Sequence, residues 1–268
     1  MTNRKTVIAV ATLAIIAAFS TIASGRQLLE TFDSKAALPT VGTGPVPNFP
    51  NPTSPGTFVA RGTRHPEIRD AMVARARTMG PKDVVFLGDS ITYYLNANPN
   101  FNKYVTKGIA PKTAAILGVG GDKVENLWWR ISQKNPSAFP VAKVYVVGIG
   151  TNDLTLEPKE IARRISGLRN YIRSRQPKSY IVFTALWARN GYKDRMPAIN
   201  LEIRNMVTGS DPRVSFVPWT YDFSSSKVKP VAQGGWFPDG THPIDAAWVP
   251  VFGQLVPYLK TLLAQYGK

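Results

Sequence analysis

Hydrophobic positions follow two different periods along the chain, and each change of period predicts a change of secondary structure. Five short, nearly continuous apolar runs have the length and composition of strands buried on both faces of a parallel sheet. They read DVVFLG (83–88), AAILGVG (114–120), KVYVVGIG (143–150), SYIVFTAL (179–186) and VSFVPW (214–219).

Around these runs, apolar residues recur every three or four positions, which is the spacing of one helical face. This pattern predicts helices over 66–79, around 124–131, over 158–175, around 196–206 and over about 244–266. Pro250 and Pro257 are expected to bend or break the last of them. Strand and helix alternate five times, which predicts an α/β fold with a doubly wound, five-stranded parallel sheet between two helical layers.

The first 57 residues differ in character from the rest of the chain. Residues 1–25 combine a short basic start with an acid-free apolar run, and this predicts a signal peptide or an uncleaved N-terminal membrane anchor. Residues 26–57 include many prolines and are predicted to be a linker. The folded domain is expected over 58–268, in an extracytoplasmic location that is secreted, periplasmic or anchored to the membrane.

Charge and cysteine content narrow the possible partners and cofactors. The 33 basic and 17 acidic side chains give a net charge of +16, which favours anionic glycans or membrane surfaces as partners. No basic block with interleaved aromatic residues is present, so nucleic-acid binding is not expected. The chain has no cysteine and two histidines. No disulfide, lipidated cysteine, zinc site or other cofactor is therefore expected.

Polar residues interrupt the pattern at four places that the predicted sheet brings to one edge. They read GDS (88–90), GVGGD (118–122), GTND (150–153) and DGTH (239–242). Alone, each motif also fits an ordinary turn or helix cap, with Ser90 or Asp122 as the capping residue. Asp89 is assigned a structural role in the first turn. The carboxyl ends of parallel strands form the ligand-binding edge of such sheets, so we expect these motifs to lie together.

Together, the four motifs contain the groups that ester hydrolysis requires. Ser90 is the candidate nucleophile, His242 is the candidate base, and Asp239 is close enough in sequence to orient the imidazole. Backbone N–H groups of Ser90 and Gly121, with the side-chain amide of Asn152, are the candidate donors to an oxyanion. The other histidine, His65, precedes a proline beside the linker and is the weaker candidate base.

These motifs resemble those of the SGNH (GDSL-type) hydrolase superfamily. The stretch GVGGDKVENLWWRI (118–131) is similar to that of platelet-activating-factor acetylhydrolase-like esterases, and the resemblance covers roughly residues 80–265. It implies a flavodoxin-like fold and a serine esterase with Ser90, Gly121, Asn152 and His242 in the site and Asp239 in the triad. The export segment, proline-rich stretch and positive charge depart from the cytosolic acetylhydrolases, so their phospholipid substrate is not transferred.

The expected activity is hydrolysis of short-chain esters, acetyl esters foremost, on a small molecule or an extracytoplasmic carbohydrate. Trp187, Trp219 and Trp236 lie near strand ends or beside the last motif, where they either stack on a sugar or pack in the core. One alternative is a lipid ester hydrolase at the membrane surface. Another is a non-catalytic glycan-binding envelope protein, and acyl transfer to an alcohol in place of water also stays open.

Overall fold

The apolar runs form five parallel strands in the computed structural model, which describes residues 65–109, 113–132, 139–209, 211–219 and 236–267. The strands follow the order β2-β1-β3-β4-β5 across the sheet, which is a doubly wound order, so the predicted fold class is confirmed. Residues 1–25 and 26–57, predicted as export segment and linker, lie outside the described residues. The strands are β1 (Lys82–Gly88), β2 (Ala114–Gly118), β3 (Ala142–Gly148), β4 (Tyr180–Thr184) and β5 (Val214–Val217).

Each predicted helix is present to within a few residues, and shorter helical segments occur between them. In the described ranges, no helix has the length and apolarity needed to cross a membrane. The segment after β1 holds short helical elements that are too brief to produce a periodic pattern. The helices are α1 (His65–Thr78), α2 (Ser90–Tyr93), α3 (Val124–Ile131), α4 (Pro158–Arg175), α5 (Met196–Thr208) and α6 (Trp248–Gln265). The shorter segments are 3₁₀ turns at Tyr94–Asn96, Lys193–Arg195 and Asp245–Ala247 and a π-helix at Phe101–Thr106.

Helix α6 continues through both of its prolines, so of the two predicted outcomes, a bend or a break, the break is wrong. Pro250 lies in the first turn, where a backbone N–H has no partner within the helix. Pro257 lies inside the helix and removes one backbone hydrogen bond. The buried face of α6 compensates for this loss, because Phe252, Leu255 and Leu259 are almost fully removed from solvent.

The two faces of the sheet bury two separate hydrophobic clusters, since side chains alternate along each strand. On β1, Val85 and Leu87 face the cluster that α1, α3, α4 and α5 cover. Val84 and Phe86 face the other cluster, which α2, the π-helix and α6 cover. This arrangement is the predicted three-layer α/β/α sandwich.

Three glycines lie side by side where β1, β2 and β3 end. Gly88 is in register with both Gly118 and Gly148. A Cβ atom on Gly118 would lie 2.2 Å from the backbone nitrogen of Tyr93, and one on Gly88 would lie 2.1 Å from Thr92 Oγ1. Helix α2 therefore rests directly on the strand backbone, at a distance that no larger residue permits.

Asp89, rather than Ser90, caps helix α2. Its Oδ1 accepts a hydrogen bond from the Ile91 N–H at 2.9 Å, which satisfies one free amide of the first turn. Its Oδ2 lacks a partner among the described residues, and the side chain lines a cavity of about 30 Å³. Burial raises the pKa of Asp89 to about 7. The nearby Asp122 and Asp153 also raise this pKa, whereas the hydrogen bond from Ile91 lowers it.

Replacing Gly118 with alanine tests the contact between α2 and the sheet. The new methyl group forces α2 away from the strand, so we expect the free energy of unfolding in urea to fall by about 1–3 kcal/mol. Gly253→Ala is the matched control, because this exposed position in α6 has no atom within 4 Å of the added Cβ. The control is expected to raise stability by up to about 1 kcal/mol. An unchanged Gly118→Ala variant would contradict the steric constraint.

The stability of the protein should depend on pH through Asp89. The pKa of this carboxyl is 3.8 when unperturbed and about 7 in the folded protein. Between these values the folded state holds a proton that the unfolded chain has lost, so stability decreases as the pH rises. We expect the wild type to lose about 2–3 kcal/mol more unfolding free energy between pH 5 and pH 8 than Asp89→Asn loses. Parallel pH curves for the two proteins would show that Asp89 does not titrate in this range.

Candidate active site

Ser90 and His242 meet at the carboxyl edge of the sheet although 152 positions separate them. The Nε2 atom of His242 lies 2.8 Å from Ser90 Oγ. On the opposite side of the ring, Nδ1 lies 2.5 Å from Asp239 Oδ2. The structure thus brings the three predicted residues into one continuous line of hydrogen bonds.

A tight turn holds Asp239 and His242 in this arrangement. Asp239 Oδ1 accepts hydrogen bonds from the backbone N–H groups of Thr241 at 2.9 Å and His242 at 2.8 Å. Gly240 has a φ of +75°, a left-handed conformation that glycine adopts without a steric penalty. One carboxylate oxygen therefore stabilises the turn while the other orients the imidazole ring.

The protonation state of Asp239 determines which ring nitrogen of His242 carries the proton. Burial opposes ionisation of Asp239, but hydrogen bonds from the backbone and ring of His242 and from the Thr241 N–H lower its pKa to about 2. At neutral pH this carboxylate only accepts hydrogen bonds, so Nδ1 of His242 must donate. In a neutral imidazole Nε2 is then the acceptor, to which the Ser90 hydroxyl can donate.

The three predicted oxyanion donors come from consecutive loops of the same edge. Ser90 is the first residue of α2, where backbone N–H groups have no partner within the helix. Gly121 has a φ of +77° and is the third residue of a turn. The Asp122 N–H closes this turn by donating to the Val119 carbonyl at 3.2 Å, so the turn does not use the N–H of Gly121. Asn152 Nδ2 donates to the Asp122 carbonyl at 3.0 Å, which leaves its second amide hydrogen for another acceptor.

Two loops outside the four motifs fasten the His242 segment. Asn98 donates to Asp245 Oδ1 at 3.0 Å, and Asn100 donates to the Asp245 carbonyl at 2.8 Å. The Asn190 N–H donates to the Gly240 carbonyl at 2.7 Å. The turn that carries the histidine is therefore attached to the segment after α2 and to the loop after β4.

Two arginines of the loop after β4 hold the loop that carries Asn152. Arg189 Nη1 donates to the Thr151 carbonyl at 2.5 Å. Arg195 donates to the Leu154 carbonyl at 2.8 Å and to the Leu156 carbonyl at 2.9 Å. These are contacts between neighbouring loops, and the sequence pattern did not predict them.

Two further residues near the site were missed by the sequence analysis. The ring of Tyr94 lies edge-to-face against His242, with centroids 5.0 Å apart, and 54% of Tyr94 is exposed. Tyr94 follows Ser90 by four residues, about one helical turn, and this spacing could have indicated that the two side chains are neighbours. Arg130 is buried between the loops that follow β1 and β2. The signal for it in the sequence was a lone arginine on the apolar face of α3, beside Leu127 and Ile131.

The tryptophans near the strand ends contribute to the core. Trp187 is buried, and its ring centroid lies 4.9 Å from that of Trp248 and 5.4 Å from that of Trp219. Trp236 is partly buried against the same cluster. His65 begins α1, and its side chain lies outside the described residues. Among the residues that the structure describes, no three His, Asp or Glu side chains form a metal-binding group.

Comparison with known proteins gives one family match and several related sequences. The GDSL-like Lipase/Acylhydrolase family matches residues 86–247, which is more than half of the chain. The Drosophila melanogaster platelet-activating factor acetylhydrolase IB subunit beta homolog is 29% identical over 143 residues, 53% of this chain and 60% of the relative. The human alpha2 subunit is 27% identical over 50% of this chain and 57% of its own length. The chain thus spans somewhat more than half the length of these curated relatives.

Solved structures share the fold at low sequence identity. A GDSL-like lipase from Bacteroides thetaiotaomicron has a TM-score of 0.55 and 14% identity, covering 72% of this chain and 97% of its own. An acetyl-xylooligosaccharide esterase from Geobacillus has a TM-score of 0.50 and 15% identity, covering 68% of this chain and 95% of its own. The matched region includes all four motifs, and the predicted family is confirmed. The chain belongs to the GDSL-like lipase/acylhydrolase family.

Proposed function

We propose that the protein is a serine esterase that removes short acyl groups, acetyl foremost, from a carbohydrate outside the cytoplasm. The observation that carries this proposal is the line of hydrogen bonds from Asp239 through His242 to Ser90. In this line the serine hydroxyl lies within hydrogen-bond distance of the base, at 2.8 Å from Nε2. No metal or organic cofactor enters the proposed reaction.

Hydrolysis proceeds through an acyl-enzyme. His242 Nε2 takes the Ser90 proton while Oγ attacks the ester carbonyl carbon, and the ionised Asp239 stabilises the imidazolium that forms. The Ser90 N–H, the Gly121 N–H and the Asn152 amide donate to the oxyanion. His242 then gives its proton to the leaving alcohol oxygen. Water, deprotonated by His242, attacks the acyl-enzyme and releases the carboxylic acid, and Ser90 regains its proton.

The names of the similar proteins support an acetyl substrate. The sequence relatives are platelet-activating factor acetylhydrolase subunits, and one structural neighbour is an acetyl-xylooligosaccharide esterase. These names share the acetyl group but differ in the alcohol that carries it. The acyl part of the substrate is therefore better supported than the alcohol part.

Tyr94 supports a carbohydrate as the leaving alcohol. Its exposed ring stands beside His242, which in the proposed reaction protonates the leaving group. Aromatic faces bind the C–H faces of sugar rings, and the contact is worth roughly 1 kcal/mol. Trp187 is buried in the core and Trp219 and Trp236 are partly buried against it, so the more exposed Tyr94 replaces them as the candidate stacking residue.

The extracytoplasmic location rests on the sequence of the N-terminal region and on charge. The basic start and apolar run of residues 1–25 have the composition of an export signal or anchor. A net charge of +16 favours binding near anionic envelope glycans or lipid headgroups.

Hydrolysis of p-nitrophenyl acetate, butyrate and octanoate by the full-length protein tests the proposed reaction. We expect kcat/KM to fall at least tenfold from acetate to octanoate. Ser90→Ala should lower kcat at least about 1,000-fold, because the nucleophile is lost. Ser174→Ala is the matched control, since its hydroxyl donates to the Tyr171 carbonyl within α4. Higher activity on octanoate would instead favour the lipid ester hydrolase, and activity in Ser90→Ala would rule out Ser90 as nucleophile.

Replacing Tyr94 tests the carbohydrate leaving group. We compare kcat/KM for an acetylated xylo-oligosaccharide with that for ethyl acetate, whose alcohol has no ring to stack. In Tyr94→Ala the preference for the sugar ester should fall about fivefold, whereas Tyr94→Phe, which keeps the ring, should retain it. The same preference in all three proteins would exclude stacking on Tyr94.

A further inference from the structure

Each of the first three motifs contains a buried aspartate next to a proposed oxyanion donor. Asp89 precedes Ser90, Asp122 follows Gly121, and Asp153 follows Asn152. The exposed fractions of the three aspartates are 1%, 6% and 1%. Three buried carboxyl groups are therefore adjacent in sequence to the proposed oxyanion donors, in surroundings where an unbalanced charge is costly.

Arg130 of α3 forms hydrogen bonds with both the first and the second of these loops. Its Nε donates to Asp122 Oδ2 at 2.7 Å, and its Nη2 donates to the Gly88 carbonyl at 2.8 Å. The side chains of this ion pair are only 2% and 7% exposed. The planar guanidinium thus sets the distance between the turn after β1 and the turn after β2.

The third loop reaches the same arginine through Asp122. Asn152 Nδ2 donates to the Asp122 backbone carbonyl at 3.0 Å. Asp153 Oδ2 accepts from the Val124 N–H, at the start of α3, at 3.1 Å. Asp122 is therefore bonded to Arg130 through its side chain and to Asn152 through its backbone.

We propose that Arg130 is a positioning residue that sets the spacing of the three oxyanion donors. Each donor is close to a group that Arg130 holds: Ser90 follows Gly88 by two residues, and Gly121 adjoins Asp122. Asn152 is hydrogen-bonded to Asp122 directly. This inference rests on the proposed function, since it assumes that these donors stabilise an oxyanion.

Burying the ion pair costs free energy, so we infer that the pair serves mainly to hold the two loops in position rather than to stabilise the fold. Removing two charges from water offsets most of their attraction, so such a pair adds little net stability. The guanidinium of Arg130 has several N–H groups in a fixed plane and so holds two loops at defined positions. The single, flexible ammonium group of a lysine cannot do this. Preorganised donors accelerate acyl transfer because they need no rearrangement when the oxyanion forms.

Arg130→Lys in the full-length protein tests this role. We expect kcat for p-nitrophenyl acetate to fall about 10–100-fold while KM changes less than about twofold, because the loss affects the transition state. Arg173→Lys is the matched control. Arg173 also pairs its Nε with an aspartate, Asp211, at 2.8 Å and its Nη1 with a backbone carbonyl, that of Ser179, at 2.7 Å. It lies at the opposite end of the sheet, so its substitution should lower stability and leave kcat within about twofold.

A double substitution separates positioning from stability. Arg130→Gln with Asp122→Asn removes both charges together, so no unpaired ion is buried and the fold should be retained. A thermal denaturation curve and the circular dichroism spectrum check this. We expect kcat to stay at least about tenfold below wild type in the folded variant. Wild-type kcat in a folded double variant would overturn the proposal.

Coupling to Asn152 provides a measurement that general loosening of the fold would not reproduce. If Arg130 acts through the oxyanion donors, Arg130→Lys should reduce kcat much less in an Asn152→Ala background than in the wild type. Full additivity of the two losses would overturn the inference. If Ser90→Ala loses activity but Arg130→Lys keeps wild-type kinetics, this inference alone is overturned. If Ser90→Ala stays active, both the proposed function and this inference are overturned.

Discussion

The close approach of α2 to the ends of β1 and β2 is the constraint on which the rest of the site depends. Gly88 and Gly118 lie in register, and a Cβ atom on either would collide with Thr92 or with the backbone of Tyr93 in α2. The helix therefore begins directly at the sheet edge, with Ser90 as its first residue. Asp89 stabilises that start through the Ile91 N–H, so the position of Ser90 follows from packing and capping together.

The turn that carries Asp239 and His242 forms separately from the segment that carries Ser90, and hydrogen bonds from other loops hold it in place. His242 and Asp239 form a self-contained turn, but Asn98, Asn100 and Asn190 connect that segment to the loops after β1 and β4. These bonds join parts of the chain that are far apart in sequence. The 2.8 Å distance from His242 to Ser90 therefore depends on tertiary contacts outside both motifs.

Three carboxyl groups are buried next to the site at a cost to stability. Asp89 and Asp153 each accept a backbone N–H through one oxygen, and the other oxygen lacks a partner among the described residues. Burial raises the pKa of Asp153 to about 6 and that of Asp89 to about 7. Arg130 neutralises the neighbouring Asp122. Enzymes commonly accept such costs where loop geometry must be held fixed.

The sequence by itself determined the order and type of the major elements, because buried strands and amphipathic helices have distinct apolar periods. It also determined the residues of the four motifs and placed them at one edge, since parallel strands share their carboxyl ends. The tertiary structure alone decided that Asp89 caps α2, that Trp187 packs in the core and that Arg130 and Tyr94 lie beside the site. These outcomes depend on contacts between distant segments, and such contacts produce no local periodicity.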